Sequence, residues 1–247
     1  MAFAVISGTK FQTAATATSP AIDTTGASTL IVVLSERTPS SGVISDSKGN
    51  TWSQLTVYSD DPNDHACSIW WSNATSVGTN HTFTATGTDM ACTVSIAAFS
   101  GGATSPFDLQ NGNNAGTGST VQPGSITPTQ DSELVIAGFV HDRAALPTIG
   151  GGFTMYQQLG FGAQYGGGLA YLIQTTATAA NPTITFDGTT TSVAVIASFK
   201  IPPAPISPDK LAWRPEFPDI LLDTSIESVA SGFIPRSPSN PSDPTPT

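Results

Sequence analysis

Residues 51–87 read TWSQLTVYSDDPNDHACSIWWSNATSVGTNHTFTATG, and residues 152–188 read GFTMYQQLGFGAQYGGGLAYLIQTTATAANPTITFDG. The two stretches align without a gap at an offset of 101, which sets Trp52 on Phe153, Trp70 on Tyr171, Trp71 on Leu172, Asn80 on Asn181 and Phe83 on Ile184. The flanks repeat as well. Residues 22–30, IDTTGASTL, meet residues 126–134, ITPTQDSEL, at an offset of 104, and the runs LIVVLSER and LVIAGFVHDR follow them. The closing strands match at an offset of 100. Identity is low, so the repeat rests on pattern and spacing. It divides the chain into halves at 1–102 and 103–201.

Each half reads as a series of short strands. In the first they fall near Ala2–Ser7, Thr29–Leu34, Thr51–Tyr58, Ala66–Ser72, His81–Thr86 and Cys92–Phe99, and the second repeats the last five. Val, Ile, Thr, Phe, Tyr and Trp dominate these segments, as strands favour. Turn signals at Gly26, Ser47–Asn50, Gly78, Gly87 and Asn181–Pro182 separate them. The fold class expected is all-β: a duplicated antiparallel β-sandwich, jelly-roll-like or Ig-like, with a Pro-rich extended C-terminal arm. Either each half is its own sandwich or the halves interleave into one. The first is simpler, because sequential strands usually pair locally. The connector at Asn111–Gly124, NGNNAGTGSTVQPG, reads as a hinge or as an edge strand followed by a turn. The glycines at 150–152 and 166–168 mark loops or tight backbone approach between sheets.

Composition agrees with this reading. Only 11% of residues are charged, against roughly 25% in an average soluble domain. Ser and Thr number 28 and 35, and the outer faces of the strands are where they belong. A net charge of −10, with no cluster of basic residues, argues against nucleic acid and against an anionic membrane surface. The apolar runs are strand-sized, too short for a membrane helix. The start, MAFAVISGTKF, lacks the basic region and apolar stretch of a signal peptide. Cys67 and Cys92 fall in strands, where buried free thiols are favoured over a disulfide.

Residues 202–247 differ in kind. They hold 11 of the 19 prolines, opening on PPAPISP and ending on SPSNPSDPTPT. Their middle, KLAWRPEFPDILLDTSIESVASGFI at 210–234, is apolar, which a solvated linker does not need. Trp213, Phe217, Ile220, Leu221, Leu222 and Phe233 are the expected partner-binding residues. The segment either docks on a partner or packs back as an edge-covering arm.

The sequence carries no nucleophile elbow, zinc helix, phosphate loop or dinucleotide fingerprint, and no cofactor is expected. DSKGN at 46–50 reads as a hairpin turn capped by the Asp46 carboxylate, in preference to a calcium ligand set. DDPNDH at 60–65 offers oxygen ligands but no EF-hand spacing, so a solvated loop is favoured. His141 and Asp142 are adjacent on a strand and point to opposite faces, which disfavours a triad. Trp52, Trp70 and Trp71 are the candidate glycan-stacking residues. Trp70 and Trp71 are consecutive, however, so at least one belongs to the core.

The runs SDSKGNTWSQL, CSIWWSNATSVGTNHTFTAT and VSIAAFSGGATSPFD, at 45–55, 67–86 and 94–108, resemble a widespread family of β-sandwich modules. These modules carry a D-x-x-G-N-T-aromatic turn and are found in phage virion and bacterial surface proteins. The resemblance covers about Leu30–Lys200, and the second half departs from it, with IGGGF in place of DSKGNT. WRPEFPD in the tail is similar to ends of phage structural proteins. The resemblance implies a fold and carries no catalytic residues. The expected function is a non-enzymatic virion structural protein, a capsid decoration or tail-associated component made in the host cytoplasm. Its expected partners are other capsid or tail subunits and further copies of itself. The alternative is a carbohydrate-binding or adhesive module that is extracellular or at the cell surface.

Overall fold

The computed structural model describes residues 2–37, 42–60, 65–86, 92–143, 145–161 and 165–204. Among these there is no helix. The first half forms β1 (Ala4–Thr13), β2 (Ala17–Thr18), β3 (Thr29–Glu36), β4 (Val43–Asp46), β5 (Ser53–Gln54), β6 (Tyr58–Ser59), β7 (Ala66–Asn73), β8 (Phe83–Thr86) and β9 (Cys92–Ser100). The second forms β10 (Phe107–Val121), β11 (Leu134–His141), β12 (Thr148–Ile149), β13 (Thr154–Phe161), β14 (Tyr165–Ile173) and β15 (Ile184–Phe199). The chain is all-β, with two large antiparallel sheets stacked as a sandwich.

Every strand pair stays within its own half. The first sheet runs β1-β9-β3-β7-β5, with β6 also on β7. The second runs β10-β15-β11-β14-β13, the same order when each strand is replaced by its counterpart. In the first half a separate three-stranded sheet, β2-β8-β4, covers the outer face. In the second, that cover is made by the far ends of the long strands β10 and β15, joined by β12. The Gly- and Asn-rich connector is therefore an edge strand. It bends at bulges near Asn114–Gly116 and Gly118–Thr120, where a straight ladder would not carry it from one layer to the next.

The register corrects the sequence alignment. The row Thr29–Asn73–Phe99 in the first sheet has its equivalent in Leu134–Ile173–Phe199. So β7 meets β14 at an offset of 100, not 101, and β3 meets β11 at 105, not 104. The counterpart of Trp71 is Tyr171, and Trp70 does not match it. One residue fewer in the 60–65 turn of the second half and one more before Ile184 cancel, which hides the slip. The face decides the matter: Trp71 and Tyr171 both line the layer between the large sheets, and a shift of one residue turns every side chain over.

That layer is the main core. Ile31, Val33, Ile69, Ala97 and Phe99 of the first sheet interlock with Leu134, Ile136, Leu169, Val195 and Phe199 of the second. The sheets stack in opposite strand order: β1 lies over β13, β9 over β14, β3 over β11, β7 over β15 and β6 over β10. An approximate twofold axis therefore runs along the strands between β3 and β11. Outer cores lie beyond each sheet, with Leu30, Val32, Trp70 and Phe83 on one side and Val135, Phe139, Ile184 and Phe186 on the other. All eight residues of β3 and all eight of β11 are buried, because each is covered on both faces. This is why LIVVL and LVIAGFV are continuous apolar runs instead of alternating ones.

Close approach needs missing side chains. A Cβ on Gly167 would stand 2.5 Å from the Cβ of Ser35 across the layer. Ser35 also donates to the Phe139 carbonyl at 2.8 Å, a hydrogen bond between the halves. The two lateral edges close alike: the Tyr58 ring lies over Gly112, and the Tyr156 ring over Gly8, with a Cβ on either glycine falling about 2.5 Å from the ring. The alternative offered for the glycines at 166–168, tight approach between sheets, holds at Gly167.

Gly167→Ala should cost about 1–3 kcal/mol by overpacking, read as a lower urea midpoint. Gly118→Ala, whose added methyl meets only ordinary contacts at 3.5 Å or more, should leave the midpoint unchanged.

Candidate functional site

Three polar clusters stand out, each placed by the strand ends. The first is the DSKGNTW turn. Asp46, the last residue of β4, accepts from the Lys48 amide at 2.8 Å and the Asn50 amide at 3.4 Å. It also accepts from Asn50 Nδ2 at 3.2 Å and Trp52 Nε1 at 2.7 Å, and His81 Nε2 lies 3.0 Å from its Oδ1. Burial pushes this carboxyl up, but Trp52, His81 and the two amides together hold it below its ordinary value. Gly49 supplies the positive φ of +75°. Asn50 then ties the turn to Ser76 through both its amide atoms, donating to Ser76 O at 2.9 Å and accepting from Ser76 N at 2.9 Å. The carboxylate cap read from the sequence is correct, with both carboxylate oxygens facing N–H groups, but the turn is not a hairpin: β4 pairs with β8 and β5 with β7, so the turn carries the chain from one sheet to another. Behind it, His81 Nδ1 and Thr24 Oγ1 are 2.8 Å apart, and both residues are fully buried. Acid, imidazole and hydroxyl thus form a buried chain. In the second half Gly151 and Gly152, at φ +70° and +78°, make the turn by backbone conformation alone.

The second cluster closes one end of the shared layer. His65 is fully buried; its Nδ1 meets Asp60 Oδ2 at 3.1 Å and its Nε2 meets Asp142 Oδ1 at 2.8 Å, so it links the two halves. Its ring stacks on Tyr165 at 5.9 Å. Of the DDPNDH loop, Asp60 and His65 are described and 61–64 are not. Asp60 spends its carboxylate on His65, accepting the backbone N–H as well at 2.8 Å. His141 and Asp142 point to opposite faces as expected. His141 packs between Phe139 and Phe186, and burial drives its pKa down to about 4.

The third cluster lies at the other end of the second sheet. Asp108, on edge strand β10, receives Lys200 Nζ at 2.8 Å, the Thr129 hydroxyl at 3.0 Å and the Thr129 amide at 2.9 Å. Glu133, fully buried, adjoins it. Burial first, and the neighbouring Asp108 charge after it, raise the Glu133 carboxyl. The hydrogen bonds from Lys200 and Thr129 outweigh burial at Asp108 and lower it. Neither residue stands out in the sequence, where Asp108 is one of many turn-flanking acids.

The three tryptophans do not share a surface. Trp52 packs edge-on against Phe83 in the outer layer, and Trp70 is buried in that same layer. Trp71 points the other way, stacked on Phe107 in the layer between the sheets. Cys67 and Cys92 also lie on opposite faces of one sheet as buried free thiols, and burial pushes Cys67 up to about 12. Trp213, Phe217, Ile220, Leu221, Leu222 and Phe233 lie outside the described residues.

Asp46→Ala should cost about 3 kcal/mol, because it strands several buried donors at once; the urea midpoint reads it. His141 gives a pH signature. Its folded pKa lies below the ordinary 6.5, so its neutral form stabilises the fold above 6.5, and that contribution is lost as pH falls toward 4. Asp142, His65, Arg143 and Asp187 are the charged or titratable neighbours that act on it. Raised Glu133 works in the opposite sense, so the comparison has to be with His141→Leu. The fall in Tm between pH 6.5 and 4 should flatten in that variant.

No family model, curated protein or solved structure matches this chain.

Proposed function

We propose that this protein is a non-enzymatic structural component of a phage virion, a capsid decoration or tail-associated protein held in place by its C-terminal segment. The observation that carries the reading is how the polar chemistry is used. The imidazoles of His65 and His81 and the carboxylates of Asp46, Asp60 and Asp108 are engaged by the protein's own strand ends and turns. They tie layers together, which is what a rigid scaffold requires. The matched strand order supports a duplication, with each half an Ig-like or jelly-roll-like unit.

The segment at 202–247 then serves as the attachment. Trp213, Phe217, Ile220, Leu221, Leu222 and Phe233 provide aromatic and aliphatic anchors of the sort that dominate interfaces, and a proline-rich sequence has little conformational entropy to lose on docking. The partners are capsid or tail subunits, with further copies of this chain arrayed beside it, and the location is the virion.

Complementation tests this. In a phage deleted for its own copy, the full chain should appear in purified particles by mass spectrometry. A chain ending at Ala204 should fold, with unchanged far-UV circular dichroism, yet be absent from particles. Full incorporation of the shortened chain would refute the anchoring role, and absence of the full chain would refute the virion assignment.

A further inference from the structure

The third cluster brings together an amine, a carboxyl group and a second, buried carboxyl group. Lys200 Nζ stands 2.8 Å from Asp108 Oδ1, and the Asp108 side chain is only 4% exposed. Thr129 grips both oxygens of Asp108 from its amide and hydroxyl, so the carboxyl plane is fixed. The backbones are fixed too: Phe107 pairs with Phe199 in the ladder, and the Lys200 amide donates to the Pro106 carbonyl at 2.6 Å. Beside them Glu133 is fully buried. Its Oε1 accepts the Gln130 amide at 3.1 Å, and Ser198 and Asp108 are its side-chain hydrogen-bond neighbours. A buried carboxyl set against a second carboxylate favours its protonated form and can donate that proton to the other. The direction of the Glu133 shift agrees, and the acceptor at hand is Asp108.

We propose that Lys200 and Asp108 condense into an intramolecular isopeptide bond, with Glu133 as the proton donor and acceptor. A proton first passes from the Lys200 ammonium to the Asp108 carboxylate along their contact. The neutral Nζ attacks Asp108 Cγ, while Glu133 donates to one carboxyl oxygen and so draws charge from Cγ. The Nζ–Cγ bond forms, the Cγ–Oδ bond breaks, and the oxygen leaves as water carrying the proton first passed from the ammonium and the one given by Glu133. Glu133 takes a replacement proton from Nζ. The sum is ammonium plus carboxylate giving amide plus water, with no oxidant, reductant or cofactor. Holding the amine in contact with the carboxyl group replaces an encounter in solution by a step within one molecule.

Proton transfer out of the ion pair is the slow part, because Lys200 is one-third exposed and its hydrogen bond to Asp108 holds its proton. The bond therefore accumulates after folding. It would weld edge strand β10 to the end of β15, two residues before the Pro-rich segment that begins at Pro202.

The test is the intact mass of the purified full chain, denatured before measurement, when fresh and after prolonged incubation. The expected result is a mass lower by one water, with a branched proteolytic peptide containing both Asp108 and Lys200. Lys200→Arg keeps the ion pair but has no condensable amine, so it should show the full sequence mass. Glu133→Gln should fold, by circular dichroism, and leave the cross-link undetectable over the same incubation. A full sequence mass in the wild-type chain after incubation overturns the proposal, as does a one-water loss that persists in Lys200→Arg.

Discussion

The layer between the two large sheets is the contact on which the rest depends. It buries one face of β3, β7 and β9 against one face of β11, β14 and β15, and it leaves the opposite faces of those sheets to be covered separately. Neither large sheet is stable half-wet, since both of its faces are apolar. The small sheet β2-β8-β4 and the bent ends of β10 and β15 follow as necessities, because each outer face needs its own lid. The four-layer order is thus set by two strands, β3 and β11, whose side chains are apolar in both directions.

The polar residues then have a restricted task. With the strand interiors given over to apolar packing, the acids and imidazoles gather where strands stop. Asp46 gathers the N–H groups of a turn, His65 bridges the halves at one end of the layer, and Asp108 with Lys200 ties the chain at the other. Such groups are costly to bury unless each finds partners, so their arrangement is as constrained as that of the core. The low charge of the chain is the same fact seen from outside.

Much of this was legible in the residues. The continuous runs at 30–34 and 134–140 mark strands covered on both faces, and the D-x-x-G-N-T-W turn has a local mechanism that can be read directly. The repeat was legible as a repeat but not in its register, because two single-residue length changes cancel and an ungapped alignment conceals them. Only the face that each aromatic occupies separates Trp70 from Trp71. The Tyr58–Gly112 and Tyr156–Gly8 contacts had no signal at all, since each joins residues far apart in sequence whose meeting depends on how the sheets stack. The same holds for Asp108, Glu133 and Lys200, which come from three separate strand ends. The tryptophans divide between the two faces of the first sheet, Trp52 and Trp70 on the outer side and Trp71 toward the shared layer, a split that consecutive positions in a strand already imply for Trp70 and Trp71.

The twofold relation between the halves has a consequence for how the molecule behaves on dilution. Two identical subunits joined through such a face would separate as their concentration fell, and their stability would carry a concentration term. Here the partner is tethered, so the pairing survives at any dilution, inside or outside a crowded compartment. Tethering also frees the two sides from having to be the same. Val33 on one side faces its counterpart position Gly138 on the other, a knob and a socket that a symmetric pair, with the same residue on both sides, could not form. Covalent linkage has turned a self-complementary surface into a directional one, with each half able to drift toward its own role while the other preserves the fit.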